Sequence, residues 1–162
     1  MFRFHWDPQV AKTFDHYHHK SMALGYCIAY SVLVLPLSLV FLFILESPWA
    51  AVFYAVVTLL FFGPLVLHHW LCLRGIHANP GRYQCFPAEM LENHSGFART
   101  VYLVLKVTRP SGAAFTIRSA SVFSRGVLDR NYYGELFRKP LQVLYDEDSE
   151  QVLVLDPDAN RR

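Results

Sequence analysis

Histidine is the residue type of this 162-residue chain that is best suited to metal chemistry, and the chain has eight of them. Three lie just before a long apolar run and three lie at or beyond the end of a second one. Neutral imidazole binds zinc, copper, iron and haem iron. The pattern predicts either a metal or haem centre or histidines that simply favour a membrane boundary. The candidate ligands are His16, His19, His68 and His69.

Other catalytic patterns do not occur in the sequence. There is no glycine-rich phosphate loop, no Gly-x-Ser-x-Gly elbow and no His-Glu-x-x-His pair. Cys27, Cys72 and Cys85 are widely spaced and form no Cys-x-x-Cys motif. The acidic run Asp146–Glu150 has the alternation of a calcium loop but lacks its glycine and its distant glutamate. The sequence therefore predicts a protein that is not an enzyme and needs no cofactor, with the metal or haem centre as the alternative.

Two uncharged segments must position the candidate histidine ligands. No Asp, Glu, Lys or Arg occurs in 21–45 or in 47–73, and each run exceeds the roughly 20 residues that a helix needs to cross a bilayer. Charged residues make up only 17% of the chain, against about 25% in soluble domains. We therefore expect a transmembrane hairpin over 21–74, with spans at about 21–45 and 48–73 in contact with membrane lipids.

The connection between the spans is very short. Ser47 can cap the second helix and Pro48 fits its first position, so the spans should be antiparallel neighbours. Trp49 would then lie at headgroup depth. Gly25 and Ala29 form a small-residue face that suits either docking of another subunit or packing within the hairpin.

Basic residues surround the hairpin on one side. Positive charges precede the first span and follow the second, whereas the turn carries only Glu46. The positive-inside rule places both termini and the C-terminal domain in the cytoplasm. In the segment 1–20, Val10, Phe14 and Tyr17 share one helix face, which predicts an amphipathic helix at the membrane interface or an extension of the first span.

The C-terminal half changes from continuous hydrophobicity to alternation. A connector over 75–81 leads to a predicted β-domain over 82–156 and a polar tail over 157–162. Hairpins are expected at Pro110–Gly112 and at the acidic run. Pro87 favours an edge position or a bulge for the first strand, which carries Cys85. These strands predict a small antiparallel SH3-like or OB-like domain behind the membrane hairpin.

The order of these parts resembles a family of small bacterial membrane proteins of unknown function, with two spans and a soluble β-domain. The similarity covers roughly 82–155, with Cys85–Ala88, the turn at Pro110–Gly112 and the closing Lys139–Asp146 as its motifs. The turn at Glu147–Ser149 lacks the proline that is usual in the family. The resemblance implies a bacterial inner-membrane setting and supplies no activity.

The sequence thus predicts a non-enzymatic accessory, assembly or scaffold subunit of a membrane complex. Its partners would be other membrane subunits or further copies of itself. A net charge of +2 without a basic stripe argues against nucleic acid. The candidate docking residues are Gly25, Ala29, Trp49 and Cys85.

Overall fold

The computed structural model describes residues 7–44, 46–95, 100–119, 122–123 and 139–157. The chain forms two compact units. The helical unit comprises His19–Gly75, and the sheet unit combines Met1–His18 with Ile76–Arg162. The segment 124–138, whose sequence suits either a loop or one short helix, and the tail after Pro157 lie outside the described residues.

Two long helices, α1 (Phe14–Phe43) and α2 (Pro48–Ala78), follow each other with a tight turn between them. Both are long and apolar enough to cross a membrane. As predicted, α2 begins at Pro48, and the Ser47 carbonyl accepts the Ala51 N–H at 3.2 Å. The reversal occurs at Glu46, whose φ of 47° is left-handed. The Ser47 N–H closes the turn on the Phe41 carbonyl at 2.9 Å.

Aromatic side chains hold the helical unit together. Phe62 of α2 lies 6.3 Å from the ring centroids of both Tyr26 and Tyr30, and Tyr54 lies 5.7 Å from Phe41. Residues early in α1 thus pair with residues late in α2, which confirms the antiparallel arrangement. Most of the large apolar side chains face outward instead, Phe53 with 72% of its surface exposed.

The sheet unit contains six described strands, all antiparallel to their neighbours. Five of them form a curled half-barrel in the order β3-β2-β1-β5-β6, and β4 pairs with β2 beside β3. The strands are β1 (Gln84–Ser95), β2 (Thr100–Thr108), β3 (Ala114–Arg118), β4 (Val122–Phe123), β5 (Leu141–Asp146) and β6 (Gln151–Val154). The antiparallel β-domain is confirmed, and its SH3-like or OB-like identity stays a prediction.

Both predicted hairpins are present. Gly112, with a φ of 82°, turns the chain between β2 and β3, and the Arg109 N–H donates to the Ala113 carbonyl at 2.8 Å. Residues 147–150 connect β5 to β6. The core follows the predicted alternation, since Leu103, Leu105 and Val107 of β2 are completely buried.

The expected edge position is wrong for the first strand as a whole, although among the described strands its residues 84–87 pair with β5 alone. β1 lies between β2 and β5, and the ends of the five-stranded path are β3 and β6. Pro87 is tolerated because pairing with β2 begins only at Ala88, one residue later. A bulge between Met90 and Glu92 then adjusts the register along the rest of β1.

The N-terminal segment belongs to the sheet unit, whereas the sequence predicts an interfacial amphipathic helix there. Val10–Lys12 form one 3-10 turn, and the N–H groups of Gln9 and Val10 at its start donate to the Asp7 carboxylate. Thr13 is extended, which ends the turn before α1 begins, and it pairs with Leu155 just after β6. Phe14 then enters the apolar core of the sheet unit. The segment therefore covers the outer edge of β6.

Candidate functional site

The histidines that the sequence nominates fall into two close pairs. His16 contacts His77 within the sheet unit, and His19 contacts His69 within the helical unit. His68 is instead near Cys72, with 3.8 Å between its Nε2 and the sulfur. His77 was not among the four nominated ligands.

The His16–His77 pair has a defined hydrogen-bond direction. The Asp7 backbone N–H donates to His77 Nδ1 at 3.1 Å, so this nitrogen carries no proton. Neutral His77 must then carry its proton on Nε2, which lies 3.0 Å from His16 Nδ1. The chain of bonds therefore runs from Asp7 through His77 to His16. Both histidine rings are buried.

Protonation of His77 would break this chain, because a second ring N–H would then face the Asp7 N–H. Burial lowers the pKa of His77 below its ordinary 6.5, and the opposing charge of the Asp7 carboxylate only partly offsets this. His77 is therefore a neutral residue that ties the end of α2 to the N-terminal segment.

Asp15 is a buried carboxylic acid that the sequence analysis did not select. Its side chain is in the sheet unit, ahead of the uncharged run, with 4% of its surface exposed. The Val154 N–H is a hydrogen-bond donor to the carboxyl, whereas Oδ2 has no hydrogen-bond partner. Desolvation raises the pKa of Asp15 from 3.8 to about 7. Its position between Phe14 and the apolar run is the only sequence signal for it.

The contacts of the His19–His69 pair differ from those of the His16–His77 pair. The two Nδ1 atoms are 2.9 Å apart. The ring of His69 is stacked on Tyr26, with 5.7 Å between centroids and 27° between planes, and His68 packs edge-on against it. His69 is thus held in one orientation at the end of the uncharged run.

A polar cluster fastens β1 to the β5–β6 hairpin. Arg82 Nε lies 3.3 Å from the Asp146 carboxylate, and a second Arg82 nitrogen donates to Gln151 at 2.9 Å. The Ser149 hydroxyl donates to Asp146 at 2.5 Å, which is the main reason that the pKa of Asp146 is lowered. The Asp146 carboxylate is therefore engaged in closing the hairpin, and it is not arranged as a calcium loop.

The four candidate docking residues have different surroundings. A Cβ on Gly25 would meet no atom within 4 Å, so the hairpin does not use Gly25 for its own packing. Ala29 is half-buried, and Trp49 is 83% exposed at the turn. Cys85 is exposed and lines a cleft of about 480 Å³ in the sheet unit together with Lys12.

Comparisons with protein-family models, with curated proteins and with solved structures give no match. The family resemblance noted from the sequence motifs accordingly stays a prediction.

Proposed function

We propose that this protein is a membrane-anchored accessory or scaffold subunit, in which the helical unit crosses a bilayer and the sheet unit serves as a docking module. The observation that carries the proposal is the outward-facing apolar surface of the helical unit. Leu35, Leu60 and Phe61 each expose more than 60% of their surface. Apolar exposure of this extent around two helices of 30 and 31 residues is unfavourable in water and favourable in lipid.

The free small-residue face supports a role in assembly. Because nothing in the described chain packs against Gly25, a helix from another subunit could approach there at close range. Intramembrane carboxylates and ammonium groups, which mark many ion pathways, do not occur in the two uncharged runs of the sequence. These features favour an assembly role over transport.

The sheet unit offers a second contact surface. The cleft beside Cys85 combines the Lys12 ammonium with the side-chain amides of Gln9 and Gln142. Such a concave surface with a few polar groups suits a segment of a partner chain. The N-terminal segment covers the β6 edge, so this cleft and β3 are the surfaces that we favour for docking.

The charge distribution sets the proposed orientation. Lys12 and Lys20 before the first uncharged run, and Arg74 and Arg82 after the second, favour an orientation with the sheet unit and both termini in the cytoplasm. The turn at Trp49 would then face the opposite side. Together with the family resemblance, this suggests the bacterial inner membrane.

Crosslinking from Cys85 tests the proposed docking role. The variant Cys27→Ala/Cys72→Ala keeps Cys85 as its only thiol, and membranes that contain it are treated with a short thiol-to-amine crosslinker. We expect one adduct of defined mass, formed with a second copy or with another membrane subunit. The matched control, in which Cys85 is also replaced by serine, should lose it. A chain that stays uncrosslinked and elutes as a lone monomer in mild detergent would contradict the proposal.

A further inference from the structure

We propose that His19 and His69 bind a transition-metal ion of the Cu²⁺ type through their Nδ1 atoms. This inference does not depend on the accessory role. It rests on three features of the helical unit: the separation of the two nitrogens, the fixed orientation of the rings and the scarcity of carboxylates in this part of the sequence.

The separation matches a pair of adjacent metal ligands. Imidazole nitrogens bind first-row metals at about 2.0–2.1 Å, so two ligands at a right angle are about 2.9 Å apart and two at a tetrahedral angle about 3.4 Å. The His19 and His69 Nδ1 atoms are 2.9 Å apart. The right-angle arrangement is typical of tetragonal Cu²⁺, which is also the divalent ion that nitrogen ligands bind most tightly.

The same distance argues against haem. Two axial histidines lie on opposite sides of a haem iron, so their ligating nitrogens must be about 4 Å apart. The 2.9 Å separation of His19 and His69 is too short for that arrangement. Of the metal and haem alternatives, the geometry favours a metal ion held from one side.

The rings are positioned before any ion binds. Tyr26 stacks on His69 and His68 packs against its edge, so the imidazole plane of His69 is fixed by contacts on two sides. Ligands whose orientation is fixed in advance lose little conformational entropy on binding. Within residues 19–75 the only carboxylate in the sequence is that of Glu46, at the far end of the helices. The two ligands that we propose are therefore imidazoles, and the sequence places no carboxylate close to them in this unit.

The His16–His77 pair provides an internal contrast. His77 Nδ1 accepts the Asp7 N–H, which forces a proton onto Nε2, the nitrogen that faces His16. A nitrogen that carries a proton cannot bind a metal. The His16–His77 pair, with 3.0 Å between its two nitrogens, is therefore joined by a directed hydrogen bond and is not the site that we propose.

Copper binding by the full-length protein tests the inference. The protein is purified in detergent without a polyhistidine tag and titrated with Cu²⁺. Electron paramagnetic resonance then reports the nitrogen ligands of the ion. We expect one tightly bound Cu²⁺ per chain with nitrogen couplings from two imidazoles. Replacing either ligand, His19→Gln or His69→Gln, should weaken binding at least tenfold and leave a single-imidazole signal.

The matched control is His94→Ala, since His94 is an exposed histidine that pairs with Glu92 in the sheet unit. It should bind Cu²⁺ like the wild type. Circular dichroism verifies that both glutamine variants stay helical, and a variant that loses helicity is replaced by the corresponding His→Asn change. Equal Cu²⁺ affinity in the wild type and in the double variant His19→Gln/His69→Gln would overturn the inference. A wild-type resonance signal without two imidazole nitrogens would overturn it as well.

Discussion

The sheet unit buries its large apolar side chains, whereas the helical unit exposes most of its own. In the sheet unit, Leu105, Val107 and Val143 are completely buried by other parts of the same unit. In the helical unit, Phe53 and Leu60 expose at least 70% of their surface, and the aromatic contacts between α1 and α2 involve only one face of each helix. One unit makes its own apolar interior, whereas the other needs an apolar environment around it.

This contrast follows from two different hydrophobic patterns in the sequence. Period-two alternation gives the sheet one buried face, and uniform hydrophobicity gives the helices an apolar surface in every direction. Substitutions of the same kind should therefore have very different consequences in the two units.

Leu105→Ala should produce the largest effect. Leu105 is fully buried in β2, and removing a buried leucine side chain costs about 4 kcal/mol. Hydrogen exchange in detergent should show a loss of protection of roughly three orders of magnitude in the β2 amides. The matched change Leu60→Ala, at a side chain that is 70% exposed in the helical unit, should leave β2 protection nearly unchanged. Similar losses in both variants would remove the distinction between the units.

Asp15 makes the stability of the sheet unit depend on pH. The folded pKa of about 7 lies above the unfolded value of 3.8, so the folded state retains a proton that the unfolded state releases. Stability should therefore fall as the pH rises, by about 2.5 kcal/mol between about pH 5 and about pH 7. Urea unfolding followed by circular dichroism measures this.

Asp15→Asn is the control variant for this dependence of stability on pH. Asparagine still accepts the Val154 N–H but cannot ionise, so this part of the pH dependence should disappear. A variant whose stability changes with pH as steeply as the wild type would show that Asp15 is not the titrating group.

His77→Ala should have a smaller effect. The substitution leaves the Asp7 N–H and His16 Nδ1 without their partner, which costs about 2 kcal/mol in a buried setting. The lowered pKa of His77 predicts the opposite pH response to that of Asp15, since its stabilisation is present above 6.5 and is lost as the pH falls below it. Nitrogen NMR of the His77 ring should show a proton on Nε2 only. A proton on Nδ1 would contradict the proposed bond direction.

Gly25→Leu should leave the fold almost unchanged and yet affect assembly. A side chain there meets no atom within 4 Å, so the cost to the hairpin should be below about 0.5 kcal/mol. The Cys85 adduct should nevertheless weaken if this face docks another helix. Ala51→Leu is the contrasting variant, because Ala51 is only 5% exposed and overpacking should disturb the hairpin itself. An unchanged adduct in Gly25→Leu would remove Gly25 from the docking surface.

Much of the fold could be predicted from local patterns. The uncharged runs and the Ser47–Pro48 pair are strong signals for two helices with a tight turn, and the alternation of β2 predicts its buried face. The position of β1 could not be predicted in this way. Pro87 indicates where a ladder is interrupted, but it does not reveal that β5 pairs with the first half of β1 from far along the chain.

The histidine pairs, like the position of β1, could not be predicted from local sequence patterns. The partners of His16 and His19 lie 61 and 50 residues away along the chain, so local spacing could not identify them. Nothing local selects His77, because its role comes from the Asp7 backbone N–H. Asp15 is similarly an ordinary acidic residue in the sequence, and only its burial against β6 changes its chemistry.

Thiol accessibility on the two sides of the membrane tests the central claim most directly. A chain with Cys85 as its only thiol is compared with one in which that thiol is removed and Trp49→Cys is introduced. Both sites are exposed, so either thiol can react. In intact cells, a membrane-impermeant maleimide should label the Trp49→Cys chain and should label Cys85 only after the membrane is opened. Equal labelling of both positions from one side would contradict a membrane-spanning helical unit.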